Sequence, residues 1–353
     1  MNLVQLIAVT SATAVLALSV GAAGAAAAPA VAKSVHAVIK DWEVACDNTR
    51  ACEAAGFQSD ESESAPVSLW LGRPAGPHGA LAAKLRASTL NESAVGSLTL
   101  QVGQLTLRGL TSETALTPAQ IAQLLPALLD ANAAAVSDGK NKWQLSLAGM
   151  KAALLKMDDL QGRVGTVTAL VKSGPKPASA VLAPLPAPTL QRLPLQRLPS
   201  PLPLKQDEAL LPKIMKTLKN GGCDEAPDLM GPESQSEINR LSASQVVLLI
   251  ECGRGAYQSS FAVWIANDKP PYAAKRAPLV GADGKPEREL LNAGFDKGEL
   301  GSFAKGRGLG DCNVQASWVW TAAGFKLASA SSSHLCRGVP GGHMLSDWSA
   351  QVR

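Results

Sequence analysis

The chain has 353 residues, 46% apolar and 18% charged, a composition that belongs to globular domains rather than to a disordered chain. The formal net charge is +4, and the excess comes chiefly from Lys176, Arg192 and Arg197, because residues 29–172 are balanced and 205–353 carry only +1. Neither part has the basic surplus of a nucleic-acid binder, so that class of partner is excluded.

Residues 1–28 carry no charged side chain; Leu3 to Val20 is an apolar run and 21–28 are all Gly or Ala. An apolar run followed by a small-residue zone predicts a cleaved signal peptide, cut near Ala26 or Ala27. The competing reading is a retained anchor, since the uncharged run exceeds ~20 residues. The weakly apolar alanine tract favours cleavage, leaving no stable membrane span and a periplasmic or secreted protein. Export makes the six cysteines, Cys46, Cys52, Cys223, Cys252, Cys312 and Cys336, a disulfide framework first. No CxxC occurs, which argues against a thioredoxin-type redox site and the common zinc sites.

Along 29–172, AVIKDWEVACD (37–47) reads as a strand, and Cys46 and Cys52 would bridge the short polar loop that follows. PVSLWLGR (66–73) reads as a strand, and SLTLQVGQLTLRGL (97–110) as a strand pair or one bent strand, by alternation. Thr117, Pro118 and Gln120 spell a capping box ahead of a helix with Ile121, Leu124, Leu125, Leu128 and Leu129 on one face and a kink expected at Pro126. A turn is expected at 137–140. A second helix spans about 147–161, with Leu147, Met150, Leu154 and Met157 inward and Gly162 at its end. VGTVTALV (164–171) reads as a closing strand.

Residues 173–205 hold nine prolines by position 204 and read as an extended spacer, or as a docking segment for a partner's groove. Residues 206–353 open with a helix capped by Asp207. Strands are expected at 245–252, 260–266 and 272–280, with a turn at 281–284. VQASWVW (314–320) and FKLASAS (325–331) form a hairpin around TAAG. Cys312 and Cys336 flank that hairpin and should pair, which leaves Cys223 to Cys252. Trp318 and Trp320 share a strand face by the period of two; burial is the expected fate, an exposed stacking platform the alternative.

DWEVACDNTRAC, DDLQGRVGTVTALV, GRGLGDCNVQASWVW and the late HLCRG together resemble an uncharacterised bacterial family, a domain of unknown function noted for six cysteines. The likeness covers most of the chain beyond residue 28. The first half also resembles, more weakly, the invasion-associated locus B family, through the Trp42-x3-Cys46 start and the final strand. Those resemblances imply an exported, β-rich protein and perform no transfer of catalytic residues.

Chemistry-bearing residues are sparse. There is no GxSxG, and the SxxK matches lack their SDN and KTG companions. GRGLG (306–310) runs into a strand rather than a helix, unlike a phosphate loop. Arg254 and Arg307 sit between glycines, open to a carboxylate or phosphate ligand or else pinning loops by pairing with Glu251 and Asp311. Asp158 and Asp159, with Gln161 and Arg163, form a dense polar cluster at a helix end, either a solvated last turn or a ligand site. His334, Cys336 and His343 could ligate a metal only if Cys336 were free. No cofactor is expected.

The sequence thus predicts an α+β, β-rich protein of two disulfide-stapled β-sheet domains, sandwich or barrel-like, with a few packing helices and a proline-rich linker. It points to a non-catalytic binding or interaction module acting on an envelope or host protein or polymer. A periplasmic enzyme using Asp158, Asp159 or Asp311 on envelope polymers is the alternative, and an inhibitor or host-facing factor a third.

Overall fold

In the computed structural model, residues 33–62, 65–91, 93–194, 208–225 and 233–353 are described. The expected signal segment, the helix cap Asp207 and the linker from 195 onward lie outside them. Five antiparallel strands follow one another in space as in sequence: β1 Val35–Ile39, β2 Trp42–Cys46, β3 Cys52–Phe57, β4 Val67–Arg73 and β5 Ala82–Ala87. The single strand expected over 37–47 is a hairpin. Lys40 takes φ +57°, so Lys40 and Asp41 form a two-residue loop that pairs Ile39 with Trp42.

A second sheet, in the order β7-β6-β8-β9, comprises β6 Leu98–Val102, β7 Leu105–Leu110, β8 Ala133–Ser137 and β9 Lys142–Ser146. Its inner face meets that of the first sheet in one core that includes Trp42, Leu69, Leu85, Leu100, Val136 and Trp143. Helices α1 Pro118–Leu129 and α2 Met150–Leu160 complete this core. Thr117 and Gln120 cap α1 reciprocally, as their spacing implies.

Residues 164–171 are turns and bends, with Thr166 in one isolated bridge to Lys176, and not a strand. Gly165 sits at φ +78°, and the Leu170 and Val171 N–H groups donate to the Asp158 carboxylate, so no neighbouring strand is offered a ladder. Beyond them the proline-rich stretch is tied down as far as it is described. The Leu185 N–H donates to the Thr49 carbonyl, and β10 Thr189–Leu190 pairs with the chain end in parallel.

The second half opens with a short helix, α3 Leu211–Met215. It covers one face of a sheet ordered β11-β12-β13-β14: Glu237–Arg240, Gln245–Arg254, Ser259–Asn267 and Lys275–Arg276. Short pairs follow, β15 Leu279–Val280 with β16 Pro286–Glu287, and β17 Leu290–Leu291 against β13. The strand expected over 272–280 is thus broken, with Tyr272 and Ala273 both at positive φ. The last sheet runs β18 Gly294–Asp296, β19 Glu299–Lys305, β20 Asn313–Thr321, β21 Gly324–Ser332 and β22 Leu345–Ser349, and β23 Gln351–Val352 ends the chain. Val247, Phe261, Val263, Leu300, Trp318 and Phe325 pack between these two sheets. Trp318 and Trp320 are 1% and 8% exposed, so neither is a stacking platform. No described sheet closes into a barrel; the architecture is β-rich with paired sheets. Disulfides join Cys46 to Cys52, Cys223 to Cys252 and Cys312 to Cys336.

Candidate functional site

The period of two that buries Ala54, Leu69, Leu71 and Leu85 turns Glu53, Trp70, Lys84 and Arg86 to the outer face of the first sheet. Trp70 lies flat on that face because Gly72 beside it has no side chain; a Cβ there would fall 2.4 Å from the indole. The Lys84 ammonium rests 5.6 Å from the Trp70 ring centroid, a cation–π contact.

The rest of the face is covered by the C-terminal segment. Val339 and Leu345 pack on Ala45, Ala55 and Phe57. Arg86 Nη1 donates to the carbonyls of Pro340 and Gly342, while its Nε pairs with Glu113 at 3.1 Å. The Ser346 N–H donates to Glu53 at 2.7 Å. Where the segment leaves the sheet uncovered, a cleft of about 270 Å³ remains, lined by Glu53, Trp70, Lys84, Arg86, Glu113, His343 and Met344.

Burial raises the Glu53 carboxyl above its ordinary range, and the Asp47 and Asp347 charges add to this against the Ser346 N–H and Lys84. Burial pushes His343 down to about 4, with the Arg86 and Lys84 charges assisting, so its ring is neutral at physiological pH. His343 Nε2 lies 2.7 Å from Ser68 Oγ. This is a Ser–His pair, but Ser68 has no exposed surface and does not line the cleft, so its hydroxyl meets no substrate there.

A second polar cluster holds the same segment in place. His36 Nδ1 is 2.8 Å from Asp347 Oδ1, and its Nε2 is 3.5 Å from Glu43, which is fully buried. Ser333 Oγ and the His334 N–H donate to Glu43, and Ser332 Oγ donates to Asp347. Burial lowers the His36 pKa, but the hydrogen bonds and charges of Asp347 and Glu43 outweigh it and lift the group to about 9. Ser332, His36 and Asp347 have the residue types of a hydrolytic triad. Ser332 is buried, however, and its hydroxyl is held by Asp347, which makes the set a latch between the halves.

The residues singled out by sequence lie elsewhere. Asp158 is fully buried and accepts from Leu170 and Val171, with Arg73 at 3.7 Å. Burial raises its carboxyl despite those donors and the charges of Arg73 and Arg163. Arg163 is also fully buried and donates to Gln161 Oε1 and to the Gly76 carbonyl, while Asp159 is exposed. Arg254 clasps both oxygens of buried Glu251. Arg307 clasps buried Asp311 in the same bidentate way. None of these side chains lines the cleft. Asp311 stands beside Cys312 and Cys336, but the disulfide removes both thiolates as metal ligands. The sequence reading passed over Glu53, Lys84 and Arg86. Their only local signal is charge at alternate strand positions, the pattern of any solvated face.

A family described as "Protein of unknown function (DUF1176)" matches residues 36–352. The chain is also similar to YpfG, an uncharacterised protein of Escherichia coli K12, with 30% identity over 319 residues, covering 84% of this chain and 87% of that protein. No solved structure matches the chain. The likeness of the first half to the invasion-associated locus B family gains no support from these matches. A match spanning nearly the whole length, with the six cysteines inside it, places this chain in the DUF1176 family.

Proposed function

We propose that this protein is an exported, non-catalytic binding module of the bacterial envelope, and that the cleft between the first sheet and the C-terminal segment is its ligand site. Residues 1–28 serve as its signal peptide. Residues 29–172 and 206–353 are its two lobes, and 173–205 the proline-rich connection between them. The observation that carries the reading is the lining of the cleft. It presents an aromatic wall and charges of both signs, while the serines bonded to histidines, Ser68 and Ser332, are buried. Such a lining recognises and orients a ligand but supplies no accessible nucleophile–base pair. Three disulfides, with no free cysteine among the described residues, suit an oxidising compartment.

The test is native mass spectrometry of the chain recovered from bacterial periplasm. The proposal expects a non-covalent small-molecule adduct that is released chemically unchanged after prolonged incubation and is lost in Lys84→Met. A wild-type chain carrying no adduct, or one that releases a cleaved or altered compound, overturns it.

A further inference from the structure

The charges around the cleft divide into those already matched and those left over. Arg86 and Glu113 neutralise each other at 3.1 Å, and Arg86 is further committed to the Pro340 and Gly342 carbonyls. His343 is bonded to Ser68. Two charged groups remain without an ion pair. One is Lys84, whose ammonium touches only the face of Trp70. The other is Glu53, which is held by a single backbone N–H from Ser346. They stand on β5 and β3, the two neighbours of β4, with Lys84 two residues along from the position opposite Glu53, so their backbones are roughly 12 Å apart at ordinary sheet spacing and rise. The two are close enough to feel each other's charge but form no salt bridge.

We propose that the cleft binds a short zwitterion of the amino-acid or dipeptide class, its ammonium on Glu53 and its carboxylate on Lys84; this rests on the binding-module reading above. The cleft's size agrees. About 270 Å³ lies at the small end for a ligand pocket and accommodates one or two residues rather than a polymer strand. An extended residue spans about 3.5 Å, so a dipeptide covers more than half of that diagonal separation, and the two side chains reach inward over the rest. The bound ammonium gives Glu53 the countercharge it lacks, and burial of Glu53 makes that contact favourable. Trp70 and Met344 offer the apolar wall for a side chain between the two ends.

The experiment is isothermal titration of the secreted chain, disulfides intact, with L-alanyl-L-alanine, its N-acetyl form and its C-terminal amide. The free dipeptide should bind saturably, and each blocked form at least tenfold more weakly. Glu53→Gln, which keeps an oxygen for Ser346, should lose tenfold for the free dipeptide but not for the acetylated one. Lys84→Met, on an exposed side chain, should do the converse with the amide, and it preserves the test should Glu53→Gln fail to fold. Equal binding of free and blocked forms overturns the proposal, as does absence of heat with both L-alanyl-L-alanine and L-alanine at millimolar concentration. If an adduct is nevertheless found on the native chain, the ligand class is wrong and the binding module stands; if none is found, both fall.

Discussion

His36 offers the sharpest energetic prediction, because one protonated ring bridges the two halves. It sits on β1 between Glu43 of β2 and Asp347 of β22, with Ser332 and His334 beside it. Its pKa rises from 6.5 in the unfolded chain to about 9 in the fold. A folded pKa above the unfolded one gives stability that is complete below pH 6.5 and lost as pH climbs through 9. A shift of that size corresponds to about 3 kcal/mol in acid, of which about 2 kcal/mol remains at pH 7.5. In His36→Gln the cation is gone and the fully buried Glu43 loses its countercharge, so the variant should be about 3–5 kcal/mol less stable at pH 6. Urea unfolding of both proteins at pH 6, 7.5 and 9.5, with disulfides intact, reads the gap. The gap should narrow by about 3 kcal/mol across that range. A gap that stays the same size from pH 6 to 9.5 refutes the protonated bridge.

Three other outcomes follow from the packing. Asp158→Ala should cost about 3–5 kcal/mol by stranding the Leu170 and Val171 N–H groups and the Arg73 charge, whereas the exposed Asp159→Ala should stay within about 0.5 kcal/mol; equal thermal shifts for the two would contradict the buried role. Gly56→Ala would place a Cβ 2.0 Å from Trp42 Cε2, so it should destabilise by about 3 kcal/mol and perturb the near-ultraviolet dichroism of that indole; a wild-type spectrum and midpoint would show that the core yields. Replacing Cys223 and Cys252 with serine opens a bridge of sequence separation 29 and should cost about 3.5 kcal/mol, against about 2 kcal/mol for Cys46 and Cys52 at separation 6. A larger loss for the short bridge would mean that chain entropy is not the governing factor.

The parts of the fold that local chemistry dictates were readable. Alternation marked the strands at 97–110, two strand-like runs around TAAG marked the hairpin at 314–331, and Thr117 with Gln120 marked a helix start. VGTVTALV misled because β-branched residues favour strands only where a partner strand exists, and here Asp158 takes two of the backbone donors. The candidate site was invisible for a different reason. Glu53, Lys84 and Arg86 look like any outward strand charges until residues from 333 onward cover the sheet, some 250 positions away in the chain for Arg86 and Gly342. The same holds for His36, Glu43 and Asp347, whose partnership spans nearly the entire sequence.

The most direct test of the binding reading is a crystal structure of the protein purified from its native compartment without denaturation. Ordered ligand density is expected in the cleft, between Glu53 and Lys84 and against Trp70. An empty cleft, with ligand density instead on another surface such as the outer face of β6, β8 and β9, would contradict it.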